Sequence, residues 1–138
     1  MSQKKQPHDW FADAAESLVR YRFVREGFFI RPSRRGSDCV IEDMRDGKKF
    51  MIEIRSTDRG DRIHTQLIKL LKRKRNKSEK PDIYVEVRLE SKLIKNNLPI
   101  SLNLWKIDKD NNCLIKHSKL SDFRNGSIRK WTKEYFKV

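Results

Sequence analysis

The chain has 138 residues, of which 36% are hydrophobic and 38% are charged, and its formal net charge is +14. This length suits a single compact domain, and no apolar stretch reaches the roughly 18 residues that a transmembrane helix needs. The charge is typical of proteins that bind a polyanion, and nucleic acid is the leading expectation, because lysine and arginine release counterions when they neutralise phosphates. An anionic membrane surface is the rival, and it would require an amphipathic or lipidated anchor.

The first half of the chain is predicted to form one helix and three strands. Residues 1–8 are expected to be a polar tail, followed by a helix from about Trp10 to Glu26 that is capped by Asp9 and ended by Gly27. Strands are predicted at 28–31, 38–42 and 48–55. The turn at 43–47 predicts that the second and third strands form a β-hairpin.

The second half is predicted to alternate a helix with strands. The apolar spacing of Ile63, Leu67, Leu70 and Leu71 predicts a helix from about 63 to 77. Further elements are predicted as a strand at 82–88, a polar loop at 90–99, an appended hairpin at 102–107 and 113–116, and a short helix near Trp131. A helix between the third and fourth strands predicts a crossover into a mixed sheet, and hence an α/β fold in one domain spanning 9–138.

Two carboxylates are predicted to converge on the hairpin. The two-residue period of a strand places Glu53 and Arg55 on one face of the third strand, opposite Phe50, Ile52 and Ile54. Asp38 opens the second strand and lies about as far from the turn as Glu53 does. Two carboxylates so close repel each other unless a cation lies between them, and Mg²⁺ prefers such oxygen ligands. The pair therefore favours metal-assisted phosphodiester hydrolysis.

These residues also carry a family resemblance. Asp38, followed after a β-turn by Glu53-Ile54-Arg55 and preceded by a helix with Glu16, resembles the PD-(D/E)XK nuclease superfamily. The stretches 14–28 and 36–41 look like the first helix and first two strands of its Holliday-junction-resolvase-like members. The resemblance covers roughly residues 10–88 and implies a restriction-endonuclease-like αβββαβ core, with 89–138 as a C-terminal extension.

The resemblance implies a role for each matching residue. Asp38 and Glu53 would be ligands of Mg²⁺ or Mn²⁺, with the backbone carbonyl of Ile54 as a third ligand and Glu16 acting directly or through water. Gln66 matches a position where some members have a polar site residue. The implied activity is that of a metal-dependent endonuclease, with structured DNA as the expected substrate.

Arg55 departs from the pattern, because the family usually has lysine at this position. Arginine keeps its proton in proteins, so Arg55 cannot be the base that activates water. It can still donate hydrogen bonds to a scissile phosphate and stabilise developing charge. The alternative function is accordingly a noncatalytic nucleic-acid-binding module, or a subunit of a larger assembly, on the same fold.

Simpler roles remain open for each residue of the predicted site. Asp38 could cap the turn that follows Gly36-Ser37, and Glu16 could be an ordinary solvated helix residue. Glu53 and Arg55 could form an ion pair on a solvent-facing sheet, worth less than about 1 kcal/mol.

Basic residues surround the predicted site. The stretch from Arg62 to Lys77 contains many basic residues and no acidic ones, and like charges one turn apart disfavour a helix. The run is expected to bind phosphates, and a solubilising face, which usually mixes both signs of charge, is the alternative. Trp131 stands among basic residues and could stack on an unpaired base, although core packing is the commoner role of tryptophan. The predicted nucleic-acid contacts are Arg31, Arg34, Arg35, Arg59, Arg62, Lys69, Lys72, Arg73, Lys77, Arg129, Lys130 and Trp131.

The expected partner is nucleic acid, DNA rather than RNA, without a membrane. A homodimer or a larger nucleoprotein assembly is left open, and a weaker alternative is an RNA- or ribosome-associated domain that has no metal site.

Cys39 and Cys113 lack the spacing of a zinc site and are expected to be small buried side chains in a reducing cytoplasm.

Overall fold

The structure is a computed structural model that describes residues 7–32, 39–57, 62–73, 76, 80–89, 100–120 and 127–136. The helices are α1 (Pro7–Arg25), α2 (Arg62–Arg73) and α3 (Ser127–Tyr135). The strands are β1 (Phe28–Pro32), β2 (Cys39–Asp43), β3 (Lys49–Thr57), β4 (Ile83–Leu89), β5 (Ile100–Asp108) and β6 (Cys113–Leu120). The predicted order of elements is confirmed, including the short helix near Trp131.

The strands form one six-stranded sheet in the order β1-β2-β3-β4-β5-β6. β3 and β4 are parallel, as the helical crossover through α2 requires, and each other neighbouring pair is antiparallel. The predicted α/β class and mixed sheet are therefore confirmed. The appended hairpin belongs to the same sheet, since β5 pairs with β4 from Ile100 to Lys106.

The turn between β2 and β3 is built as the sequence predicts. The amide of Asp43 donates to the carbonyl of Lys48 at 2.8 Å, and the amide of Gly47 donates back to the carbonyl of Asp43 at 2.8 Å. Gly47 has a φ of 73°, which glycine adopts without the steric cost that a side chain brings. This hairpin fixes the register in which Cys39 pairs with Ile52.

The two faces of the sheet are covered by different helices. On one face, Val19 and Phe23 of α1 and Trp131 of α3 pack against the sheet in a cluster that includes Ile52 and Val85. On the other face, Leu67 and Leu71 of α2 pack against Tyr84 and Ile107, with Leu70 and Trp105 beside them. The predicted apolar stripe of α2 is thus confirmed for its described leucines.

Several boundaries differ from the prediction. α1 begins at Pro7 and contains Asp9, so the prediction that Asp9 caps the helix is wrong. Proline suits the first turn of a helix, because its missing N–H has no intrahelical acceptor there. β3 continues to Thr57, beyond the predicted end at Arg55. Lys77 and the predicted loop at 90–99 lie outside the described residues.

None of the helices in the described part of the chain is both long enough and apolar enough to cross a membrane.

Candidate functional site

Glu53 and Arg55 lie side by side on the face of β3 that α2 covers. The intervening Ile54 and the flanking Ile52 are buried on the opposite face, as the two-residue period predicts. The Glu53 side chain is only 4% exposed, whereas that of Arg55 is 46% exposed, and Nη2 of Arg55 lies 2.7 Å from Oε1 of Glu53. The guanidinium therefore neutralises a buried carboxylate and keeps its outer part in solvent.

The neighbouring strand β4 presents a second pair of the same kind. Arg55 is in register with Glu86, and Glu53 with Tyr84, so these side chains share one face of the parallel pair. Glu86 is fully buried at 0% exposure, and its Oε1 accepts a hydrogen bond of 3.0 Å from Nε of Arg88, whose side chain is 33% exposed. Together Glu53, Arg55, Glu86 and Arg88 form what we term the β3–β4 charged row.

Tyr84 lies next to the charged row, in register with Glu53 and packed against α2. Its hydroxyl lies 3.5 Å from Oε2 of Glu86 and donates to it. Burial raises the pKa of Tyr84 far above its ordinary value, and the negative charge of Glu86 raises it further. The phenol therefore stays protonated and serves Glu86 as a hydrogen-bond donor.

Asp38, the predicted second ligand, lies outside the described residues. Of the residues that follow it in the sequence, Cys39 pairs with Ile52, and Val40 pairs with Met51 on the face that carries Glu53. Among the described residues, no three His, Cys, Asp or Glu side chains form a group that could hold a metal ion.

The other predicted site residues are not gathered around Glu53. Glu16 is paired with Arg20 at 2.8 Å on the surface of α1, the helix that covers the opposite face of the sheet. Gln66 is exposed on α2. Of the predicted catalytic residues that the structure describes, Glu53 and Arg55 are the two in contact.

The predicted nucleic-acid contacts fall into several environments. Lys69, Lys72 and Arg73 are exposed on α2, and Lys130 is exposed on α3. Arg31 is 57% exposed and pairs with Glu42 at 2.9 Å. The remaining predictions lie outside the described residues or side chains: Arg34, Arg35, Arg59, Arg62 and Lys77.

Arg129 and Trp131 require a correction, because both side chains are buried. Nη1 of Arg129 donates to both carboxylate oxygens of Asp43, at 2.9 and 3.0 Å, and Nη2 donates to the carbonyl of Glu26 at 2.7 Å. Nε1 of Trp131 donates to the carbonyl of Lys116 at 2.9 Å, and the residue is 4% exposed. These side chains hold α3 to the sheet and do not present a surface to nucleic acid.

Glu86 and Arg88 belong to the charged row but are not among the site residues predicted from the sequence. The pattern was available, since Ile83, Val85 and Val87 alternate with polar positions along β4 and predict a polar face. What the sequence does not reveal is that the parallel register aligns Glu86 with Arg55.

Comparisons with known proteins give no match to the chain. No protein-family model matches it, no curated protein matches it, and no solved structure matches it.

Proposed function

We propose that the chain is a metal-dependent endonuclease that hydrolyses phosphodiester bonds in nucleic acid, with structured DNA as the expected substrate. The observation that carries the proposal is the contact between buried Glu53 and half-exposed Arg55, on the sheet face covered by the basic helix α2. A carboxylate, which is a common ligand of metal ions, thus lies beside a guanidinium, which is a common ligand of phosphates, and this supports the proposal. The net charge of +14 favours a polyanionic substrate.

The donor set fits a hard divalent ion. Glu53 supplies a carboxylate on a rigid strand, and Asp38 is the covalent neighbour of Cys39, which pairs with the residue before Glu53. Carboxylate oxygens are the ligands that Mg²⁺ prefers, and in this proposal Asp38 and Glu53 hold the ion, with the carbonyl of Ile54 as a third ligand. When bound, the ion supplies Lewis-acid polarisation of the phosphate and a water of lowered pKa.

Arg55 has a positioning and electrostatic role in this proposal. Its guanidinium is anchored on one side by Glu53, so its remaining N–H groups can bind a phosphate oxygen without large loss of side-chain entropy. Guanidinium groups do not serve as bases in proteins, so the proposal gives Arg55 no part in proton abstraction.

The second candidate is a noncatalytic nucleic-acid-binding module. The ion pair between Glu53 and Arg55 favours it, because the guanidinium already supplies the positive charge that a metal would bring to this carboxylate. The two candidates differ in whether Glu53 would bind a metal ion in addition to its ion pair with Arg55, or whether the guanidinium takes the place of the metal.

The test is cleavage of labelled branched, duplex and single-stranded DNA, and of RNA, with Mg²⁺ or Mn²⁺. We expect metal-dependent cleavage that falls by at least about a hundredfold in Glu53→Gln and in Asp38→Asn. The matched control is Glu134→Gln, which makes the same change at an exposed residue of α3 on the other face of the sheet and should cleave normally.

The outcomes separate the two candidates. Binding without cleavage of any substrate, and without any effect of metal on affinity, supports the noncatalytic module. Cleavage that persists in Glu53→Gln would overturn the proposed site.

A further inference from the structure

We propose that Arg55 and Arg88 form a clamp for phosphates of the nucleic-acid backbone, and that Glu86 is the positioning residue of Arg88. The inference deepens the proposed function and rests on one part of it, that the chain binds nucleic acid. It does not require that the chain cleave its ligand.

The topology brings the two arginines to the same end of the sheet. β3 and β4 are parallel, and Arg55 and Arg88 stand near their carboxyl ends. Arg88 lies two residues beyond Glu86, the partner of Arg55 in the register. The spacing between strands and the rise along them put the Cα atoms of the two arginines roughly 8 Å apart. Because arginine side chains are long, both can contact one phosphate or two adjacent ones.

Each guanidinium is bound by a buried carboxylate and belongs to a side chain that is partly exposed to solvent. Glu53 lies 2.7 Å from Nη2 of Arg55, and Glu86 accepts from Nε of Arg88 at 3.0 Å. The side chains of Arg55 and Arg88 are 46% and 33% exposed, so a part of each remains accessible to solvent. A guanidinium has more N–H donors than one carboxylate contact uses, and its planar fork suits phosphate oxygens.

The burial of Glu86 argues against an incidental surface pair. A carboxylate at 0% exposure carries a desolvation cost that an exposed ion pair does not, and it is balanced here by the hydrogen bonds from Arg88 and Tyr84. A surface arginine can form an ion pair with an exposed carboxylate without this cost, as Arg20 does with Glu16. A buried carboxylate fixes the guanidinium in one orientation, and this lowers the entropic cost of binding an anion.

The test measures the affinity of the full chain for a fluorescent DNA duplex and for a single strand, across a range of salt concentrations without metal. We expect Arg55→Ala and Arg88→Ala each to weaken binding about tenfold and to reduce the slope of log K against log salt by about one. Arg20→Ala is the matched control: it also removes one exposed, ion-paired arginine, but from the other face, and should change the affinity less than about twofold.

Glu86→Gln tests the positioning role by the sign of its effect. This variant adds one to the net charge, so long-range attraction alone would tighten binding. We expect it to weaken binding several-fold, because Arg88 loses its charged anchor, whereas Glu134→Gln should not weaken it. Arg88→Lys is the control for loss of folding, because lysine keeps a positive charge beside the buried carboxylate of Glu86. Thermal unfolding should show that this variant folds. It should still bind DNA several-fold less tightly, because lysine lacks the planar fork of arginine.

Each result decides the matter. Equal effects of Arg88→Ala and Arg20→Ala, or tighter binding by Glu86→Gln, would overturn the clamp while leaving the proposed function intact. Clamp-dependent binding without cleavage supports the clamp and counts against the nuclease. Failure of the unmodified chain to bind either DNA overturns the clamp outright.

Discussion

Arg129 and Arg55 both pair with a carboxylate, yet burial gives them different roles. Arg129 and Asp43 have side chains that are 9% and 6% exposed, so their ion pair is shielded from solvent. Arg55 is 46% exposed beside its buried partner and remains accessible to a ligand. The same type of ion pair is therefore shielded inside the fold at Arg129, whereas at Arg55 it leaves part of the side chain exposed, as the proposed phosphate contact requires.

Arg129→Ala should destabilise the fold strongly. The substitution leaves Asp43 buried without the guanidinium and removes the hydrogen bonds to the carbonyl of Glu26, and such a loss costs about 3–5 kcal/mol. Arg20→Ala is the control, since its exposed pair with Glu16 is worth less than about 1 kcal/mol. Urea unfolding followed by circular dichroism measures both, and equal losses would contradict the role given to Arg129.

The same pair predicts how stability depends on pH. Burial alone would raise the pKa of Asp43, but the hydrogen bond from the Arg45 amide and the Arg129 guanidinium together lower it below the ordinary value of 3.8. Because the folded state holds the proton less tightly, the stabilisation is present above about pH 4 and is lost as the pH falls through the folded pKa. Asp43→Asn should have a lower free energy of unfolding than the unmodified chain at pH 7, and it should lose less of that free energy between pH 5 and pH 3. Urea unfolding at each pH measures both proteins, and parallel pH profiles would refute this prediction.

At the scale of elements, the junction of α1 and β1 depends on one glycine. Gly27 lies in the turn after α1 with a φ of 91°, and a Cβ built on it would lie 2.5 Å from Nη2 of Arg129. The close approach of the Arg129 side chain to this turn lets its guanidinium reach both the Glu26 carbonyl and Asp43. The turn between α1 and β1 therefore packs directly against the Arg129 side chain that attaches α3 to the sheet.

Gly27→Ala should cost more stability than Gly47→Ala. Both positions have positive φ, which costs a side chain about 1–2 kcal/mol, but an added Cβ meets nothing within 4 Å at Gly47. The extra loss at Gly27 reports the clash with Arg129. Chemical denaturation of the two variants gives the comparison, and equal losses would show that Arg129 moves aside freely.

The elements were predictable from the sequence, whereas the site was predictable only in part. The alternation of Phe50, Ile52 and Ile54 with polar residues showed that Glu53 and Arg55 share a face, because strand geometry is local. The pairing of Arg129 with Asp43, 86 positions apart in the sequence, was not visible, because long-range contacts depend on how helices dock. Basic residues near the C-terminus therefore resembled a nucleic-acid surface, although Arg129 and Trp131 are buried.

At the scale of the whole molecule, positive charge lies on both faces of the sheet. Exposed Lys69, Lys72 and Arg73 follow α2 on the face of the β3–β4 charged row, while Arg20, Arg25 and Lys133 are exposed on α1 and α3. A net charge of +14 attracts nucleic acid from any direction, so the proposed function requires that binding favour the α2 face.

Salt dependence should distinguish the two faces. Replacing Lys69, Lys72 and Arg73 by alanine should lower the slope of log K against log salt by about 2.7 for duplex DNA, because each lost phosphate contact removes about 0.9. Replacing Arg20, Arg25 and Lys133 removes the same charge and should leave the slope nearly unchanged. Fluorescence anisotropy titrations measure both, and equal slopes would show that the chain binds DNA without a preferred face.

The central claim is that Glu53, with Asp38, holds a divalent ion at the site where Arg55 binds a phosphate. Crystals soaked in Mn²⁺ test it directly, since anomalous scattering locates the ion without assumptions about activity. We expect a peak at about 2.0–2.2 Å from carboxylate oxygens of both residues, and none there in Glu53→Gln. A map at saturating Mn²⁺ with no peak at Glu53, and with Arg55 still paired to it, would contradict the claim.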